Sequence, residues 1–313
     1  MKKNVRLVLV NANCRGGRGI NVWSKIYRQL AALAGPFSVL VSKTPKESTE
    51  QICTAISNGV RSFVSAGGDG AINMLINAIF KCKGSTPLSD FMIGAVGLGS
   101  SNDYHKSDSP KLEDIPVRVN DENPILRDVG EFIYQTTDLK LRKAYFLIST
   151  SLGIVAEGNR VFNEGGPFLN LLKKTSTQAA IFWTFFRTLL KFNNIPLTIR
   201  LDQCETLKIN VSYLAVSKTP YISGMFHFED PVRRDDGSFM VKILSECSKL
   251  MLIKIMIKLM AGRENGIPNL ITRHARTVEA TAPAFITLEY DGETQPARRV
   301  AFHIHQEKIW ECG

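Results

Sequence analysis

The stretch VSAGGDGAINMLINAI, residues 64–79, decides how this chain folds. An apolar run enters a double-glycine turn and a helix leaves it, which is the pattern of a strand–turn–helix unit. Gly67, Gly68 and Gly70 keep side chains out of the way of an approaching phosphate. They are also free to take positive φ, which so tight a turn often requires. Asp69 puts a carboxylate at the turn itself, within reach of a metal ion or a metal-bound water. The helix that follows, from about Ala71, aims its first N–H groups at the same place and makes an anion site. Turn, carboxylate and helix terminus together point to a nucleotide phosphate.

The surrounding residues extend the pattern. VRLVLV (5–10), FSVLVS (37–42), SFVSA (62–66) and FMIGAVG (91–97) read as strands, and 20–34, 46–58 and 71–81 show helical spacing of apolar residues. This alternation predicts an α/β, Rossmann-like nucleotide domain over residues 1–130, with a parallel sheet covered on both faces. Glycine loops follow three of these strands, where open α/β sheets place their ligands. They are NANCRGGRG (11–19), GGDG (67–70) and, as a weaker copy, GLGSSND (97–103).

After Asn123-Pro124 the character changes. KAYFLISTSLGIVAE, TLKINVSYLAVS, RTVEATAPAFITLEYDG and RVAFHIHQEKIWEC read as strands, so residues 131–313 are expected to form a β-rich, sandwich-like domain. Two helical segments interrupt it, at 168–192 and 246–260. The first carries Trp183, five phenylalanines and Lys173, Lys174, Arg187 and Lys191, with no acidic residue. Such a segment suits contact with a membrane surface, and equally a core-facing helix with solvated lysines. The second reads as a core helix with a lysine edge.

Composition narrows the partners. Lys and Arg outnumber Asp and Glu by 39 to 29, a net charge of +10 and a pI near 9.3, which admits nucleic acid, anionic lipid or phosphorylated ligands. No basic-aromatic RNA motif, helix-turn-helix signature or zinc finger is present, so nucleic acid is not expected. Six cysteines lie far apart with no CxxC pair, which argues against a zinc site or a disulfide framework and fits a reducing compartment. The opening apolar run is short and contains Arg6, unlike a secretory signal. No segment has the uncharged length that spans a bilayer. A soluble, cytoplasmic protein is expected, with a peripheral place on the inner face of the membrane if it acts there.

Four ordered motifs resemble those of the diacylglycerol kinase catalytic family, which includes bacterial lipid kinases and the sphingosine and ceramide kinases. NANCRGGRG resembles the family's opening NP-x-SG-x-G loop, GGDGAIN its GGDGT-x-N loop, and GLGSSND its P-x-GT-x-ND loop. YDGET (290–294) resembles its DGE motif. The resemblance implies an ATP- and Mg2+-dependent kinase that phosphorylates the hydroxyl of a lipid such as diacylglycerol, at a membrane surface. Asn11, Gly67, Gly68, Asp69, Gly70, Asn73, Ser100 and Asn102 would then hold the nucleotide. Ser42 stands where the family often has a nucleotide-contacting threonine. Asp69 and Asp103 would act on Mg2+, directly or through water, and Glu293 would be the catalytic base. Asp236, in Asp236-Gly237-Ser238-Phe239, matches a DG-x-L turn where some bacterial members bind a structural magnesium ion. The last strands would return toward the first domain.

The chain departs from the family pattern at several positions. Ala71 replaces the threonine of GGDGT, Met74 stands where many members have glutamate, and Gly97 replaces a proline. Ser100-Ser101 replaces Thr-Gly, and Cys14-Arg15 replaces Ser-Gly. A kinase of a soluble substrate in the manner of NAD kinase, and a relative without turnover, are the competing readings.

Overall fold

A computed structural model describes residues 6–17, 19–106 and 109–313, with backbone alone for residues 15, 16, 174 and 177. The Arg15 and Lys174 side chains named above therefore lie outside the described part. The chain divides into two compact units, one running to Val129 and joined by His305–Gly313, the other Gly130–Ile304.

In the first unit, β1 (Arg6–Asn11) is buried at five successive positions, as a strand covered on both faces must be. It pairs in parallel with β2 (Phe37–Ser42) and β3 (Ser62–Gly67), and β3 pairs in parallel with β4 (Met92–Gly97). Three helices make the crossovers: α1 (Gly19–Ala34), α2 (Pro45–Ser57) and α3 (Asp69–Cys82). Trp23, Ile26 and Leu30 of α1 pack on Val8, Val10, Val64 and Val96 of the sheet. Thr44 caps α2, its hydroxyl accepting the Glu47 N–H just ahead of Pro45 at the first helical turn. The family-like loops thus follow β1, β3 and β4.

A later piece of chain completes this sheet. Ile309–Glu311 pairs in parallel with β4 and antiparallel with Ile125–Arg127. The Arg127 guanidinium lies 2.6 Å from the Glu311 carboxylate, with both side chains almost fully buried, and its face covers the Tyr104 ring at 4.7 Å. Two ions taken out of water are tolerated only when they meet each other.

The scattered cysteines gave no reason to expect a disulfide, yet Cys53 of α2 and Cys82 of α3 are bonded, their Cα atoms 5.3 Å apart. Sequence spacing of 29 residues hides the contact, because it is the packing of the two helices side by side that brings the thiols together.

The second unit is a nine-stranded antiparallel sheet. Its long strands Glu205–Ser217 and Thr277–Tyr290 each pair with two shorter strands placed end to end between them, Ile195–Leu201 and Ser149–Gly153. Phe132, Phe146, Phe239 and Phe302 fill the core. The β-rich expectation holds, with two corrections. The strand reading of KAYFLISTSLGIVAE ends at Gly153, whose φ of 95° turns the chain into a helix, Ile154–Glu164. The single helix expected over 168–192 is two, Pro167–Thr175 and Thr177–Lys191, broken at Ser176, whose hydroxyl caps the second by accepting the Ala179 N–H. Among the described residues no helix is long and apolar enough to cross a membrane.

Arg127→Met should destabilise the protein by about 3–5 kcal/mol, because it removes the guanidinium that lies 2.6 Å from the buried Glu311 carboxylate. Adding Glu311→Gln should recover a large part of that loss. Urea unfolding of the three proteins checks this, and a single variant as stable as wild type would remove the ion pair from the account of the sheet.

Candidate functional site

Gly17 of the first loop has a φ of 88°, whereas the positive φ open to the glycines of the GGDG turn is not used: Gly67, Gly68 and Gly70 lie outside that region, as do Gly97 and Gly99. Close approach requires them instead. A Cβ on Gly99 would sit 2.4 Å from the Gly68 Cα, and a Cβ on Gly67 would sit 2.5 Å from the Ala71 Cβ. The loops after β3 and β4 therefore touch backbone to backbone, and the Leu98 N–H donates to the Gly67 carbonyl at 2.8 Å.

Asp69 is the first residue of α3, where a negative charge meets the positive end of the helix. Its carboxylate reaches across to the second loop, accepting the Asp103 N–H at 3.0 Å and the Tyr104 N–H at 3.1 Å. Asp103 is buried, and its carboxylate lies 2.8 Å from the Lys106 ammonium. Lys106 escaped the sequence reading, although its place three residues along is the spacing at which helical side chains meet.

Asn102 takes the left-handed conformation (φ 53°) and ties the second loop together. Its amide accepts the Gly99 N–H and donates to the Gly97 and Gly99 carbonyls. Ser100 is exposed beside it. Asn11 ends β1 and accepts the Asn13 N–H through its side chain. Ser42 is buried at the end of β2, its hydroxyl bonded to that of Ser48. Asn73 is buried on α3, its carbonyl and side-chain oxygen both accepting from the Asn77 amide. Ser65, Gly67, Gly68, Asp69, Ile72, Ala95, Tyr104 and His105 line a small cleft at the ends of β3 and β4. The first unit thus gathers Asn11, Gly67, Gly68, Asp69, Gly70, Ser100, Asn102 and Asp103 on its glycine loops. Ser42 and Asn73 are committed to bonds inside the protein.

In the second unit Asp291-Gly292 joins its two longest paired strands, Thr277–Tyr290 and Glu293–Ile304, as a two-residue hairpin. Both turn residues have positive φ, 45° and 92°, as the twist-matched two-residue turn requires. Asp291 does more than turn the chain. Its buried carboxylate accepts three N–H groups, from Leu147, Ile148 and Ser149, at 2.9–3.0 Å. Glu289, also buried, accepts the Gly292 N–H and the Ser151 hydroxyl, and Asn163 donates to the Gly292 carbonyl. The turn that carries Glu293 is held at every corner. Glu293 itself is exposed, yet desolvation by the protein around it pushes its carboxyl above the usual value. Asp291 and Glu289 were missed as anchors because the segment they hold, Leu147 to Ser151, lies more than a hundred residues away in the chain.

Asp236 stands apart on its own turn, with its carboxylate 2.7 Å from the Lys218 ammonium. Among the described residues no three His, Cys, Asp or Glu side chains cluster as metal ligands.

A parallel α/β unit whose glycine loops meet a helix N-terminus and a carboxylate belongs to the class of proteins that handle nucleotide phosphates. Residues 6–117 match the family model of the diacylglycerol kinase catalytic domain. The whole chain is also similar in fold to solved structures from Bacillus anthracis strain Sterne. A diacylglycerol kinase is 15% identical, with 100% of this chain and 97% of that one covered and a TM-score of 0.68. A candidate diacylglycerol kinase is 17% identical, with 100% and 98% covered and a TM-score of 0.71. No curated protein matches the chain.

Asp69→Ala should abolish phosphoryl transfer and also lower stability by about 1.5–3 kcal/mol, the scale of hydrogen bonds to a charged group. In the variant the Asp103 and Tyr104 N–H groups lose the acceptor that joins the two loops. Calorimetric unfolding together with an activity assay checks both effects. Full stability in the variant would mean that the two loops hold together without the carboxylate.

Proposed function

We propose that this kinase transfers the γ-phosphoryl group of ATP to the hydroxyl of a lipid of the diacylglycerol kind. The observation that carries the reading is the Asp69 carboxylate, which fastens the two phosphate-loop segments to each other at the N-terminus of α3. Backbone N–H groups there would hold the phosphates, and Ser100 would add a hydroxyl donor. The donor set fits Mg2+, which is commonly held by one or two carboxylates together with phosphate oxygens and water. Asp69 would meet the ion directly and Asp103, whose carboxylate lies 2.8 Å from the Lys106 ammonium, through water; the ion would supply charge neutralisation on the transferring group. Asn102 acts through the loop that it closes. The buried bonds of Ser42 and Asn73 suggest that they support the loops from below.

Glu293 is the group to accept the proton of the lipid hydroxyl. A carboxylate whose pKa lies nearer the working pH is the better general base, and desolvation moves Glu293 that way. The rigid turn beneath it limits the motion of the base during transfer.

The lipid acceptor draws support from the helices Pro167–Thr175 and Thr177–Lys191. Leu169, Ala180 and Leu189 are buried, while Phe168, Leu171, Phe186 and Leu190 are exposed, Leu190 by 72%. Arg187 and Lys191 are exposed with them, the Arg187 guanidinium over the Trp183 ring, while the Lys173 ammonium turns to the Phe162 carbonyl. The pair of helices therefore has a core side and an apolar, basic outer side, which suits the surface of an anionic membrane. A soluble acceptor gives these exposed side chains nothing to do.

Purified protein with labelled ATP and a panel of lipids in mixed micelles, with NAD as a control, tests the reading. Label in NAD and in no lipid would overturn the lipid assignment. Sedimentation should show binding to vesicles that contain anionic lipid, weakened by added salt because exposed charges are screened over about 8 Å at physiological ionic strength. Equal binding to neutral vesicles would remove the basic residues from the argument.

Glu293→Gln should lower kcat by about 10²–10⁴ and leave ATP affinity near wild type. Its stability should match or exceed that of wild type, since it removes a charge that the fold desolvates. In the wild-type enzyme kcat should rise with pH through an inflection above the ordinary glutamate value of about 4.3, because the base works only once it is ionised. A Gln variant with wild-type turnover would leave Glu293 as a hairpin residue alone.

A further inference from the structure

Lys218 follows the strand Glu205–Ser217, and its side chain is completely buried. Lysine is almost never buried in this way unless its charge is met. Its Nζ lies 2.7 Å from Asp236 Oδ1 and 2.8 Å from the Ser238 carbonyl oxygen. Both oxygens come from one tight turn. Gly237 has a φ of 71°, and Asp236 Oδ1 also accepts the Ser238 N–H at 3.1 Å. The turn therefore brings a carboxylate and the carbonyl two residues further on to a single point, which is the oxygen set that a hard cation selects.

The family resemblance implies a structural magnesium ion at Asp236, and the residues here do not fit one. Mg2+ demands oxygens at about 2.0–2.1 Å in octahedral array, and the ammonium already stands at hydrogen-bond distance from the two oxygens that the turn offers. Burial by itself would raise the Asp236 carboxyl, but the Lys218 ammonium and the Ser238 N–H outweigh it and hold the group below its ordinary value. The charge of the turn is met from within the chain.

We infer that the Lys218 ammonium takes the place of a structural cation, so that the second unit reaches its folded form with no divalent metal. Its bonds also lead toward the hairpin. The Lys218 N–H donates to the Ile148 carbonyl at 2.8 Å, and the Ile148 N–H donates to the Asp291 carboxylate beneath Glu293. Lys218 is a positioning residue for that turn. This last link rests on the role given to Glu293 above, whereas the replacement of a metal does not.

Thermal unfolding of the full chain without nucleotide, in EDTA and in millimolar Mg2+ or Mn2+, separates the two. The wild-type midpoint should be the same in all three solutions. Lys218→Ala should melt lower in EDTA and recover when either metal is added, because the emptied position then admits an ion. Lys218→Ala with Asp236→Asn should not recover. A wild-type midpoint that rises with Mg2+, and no longer does so in Asp236→Asn, would overturn the inference by showing a native metal at Asp236. Failure of Lys218→Ala to respond to metal would also overturn it, leaving an ordinary buried ion pair. Should Lys218→Ala not fold in EDTA, the wild-type and Asp236→Asn measurements decide alone. None of these readouts depends on lipid turnover, so loss of the proposed activity would leave them standing.

Discussion

The first unit depends on a contact in which no side chain fits, the passage of Gly68 against Gly99. Two backbones at that distance bring the loops after β3 and β4 into one surface, and only hydrogen at both Cα positions allows it. Asp69 makes the contact permanent by accepting N–H groups from the opposite loop. The same carboxylate is then the natural neighbour of any phosphate or ion that settles on the helix terminus. Structure and chemistry draw on one residue here, which is why its loss is expected to be felt in both.

A comparable economy marks the second unit. Asp291 is at once the first residue of a left-handed turn and the acceptor for three successive N–H groups of the chain at 147–149. A charge buried so completely must be met by such donors, and an unmet one would be costly. Glu289 performs a similar task from the other side of the turn. Glu293 is left as the carboxylate of this hairpin with solvent access, and the two buried acids serve to present it.

How much of this was legible in the sequence differs between the two units. Local periodicity placed β1 to β4 and α1 to α3 within a residue or two, because each element carries its own apolar pattern and the glycines mark where strands stop. The break at Ser176 was readable only as a cap, a signal that competes with an unbroken run of apolar residues on both sides. Pairings over long separations left no local trace. The Cys53–Cys82 bond, the Lys218–Asp236 pair and the Asp291 clamp all join segments whose meeting is decided by tertiary packing. Among the candidate site residues, Asp69 and Glu293 were read from motifs that are contiguous in the sequence. Ser42 and Asn73 were read from the same kind of motif, and burial gave them a supporting place.

The strand Ile309–Glu311 has a consequence for the order in which the protein comes into being. It lies between β4 and Ile125–Arg127 in the sheet, yet the whole of Gly130–Ile304 separates it from them in sequence. Until it arrives, β4 has an open edge over Met92 and Ile93, and the buried pair of Arg127 with Glu311 is not made. A chain emerging from the ribosome would therefore hold the phosphate loops in an unfinished sheet while the second unit is being made. Contacts of such long sequence separation are slow to form, and exposed strand edges invite wrong partners. The unit that carries the glycine loops precedes the second unit in sequence and is completed after it.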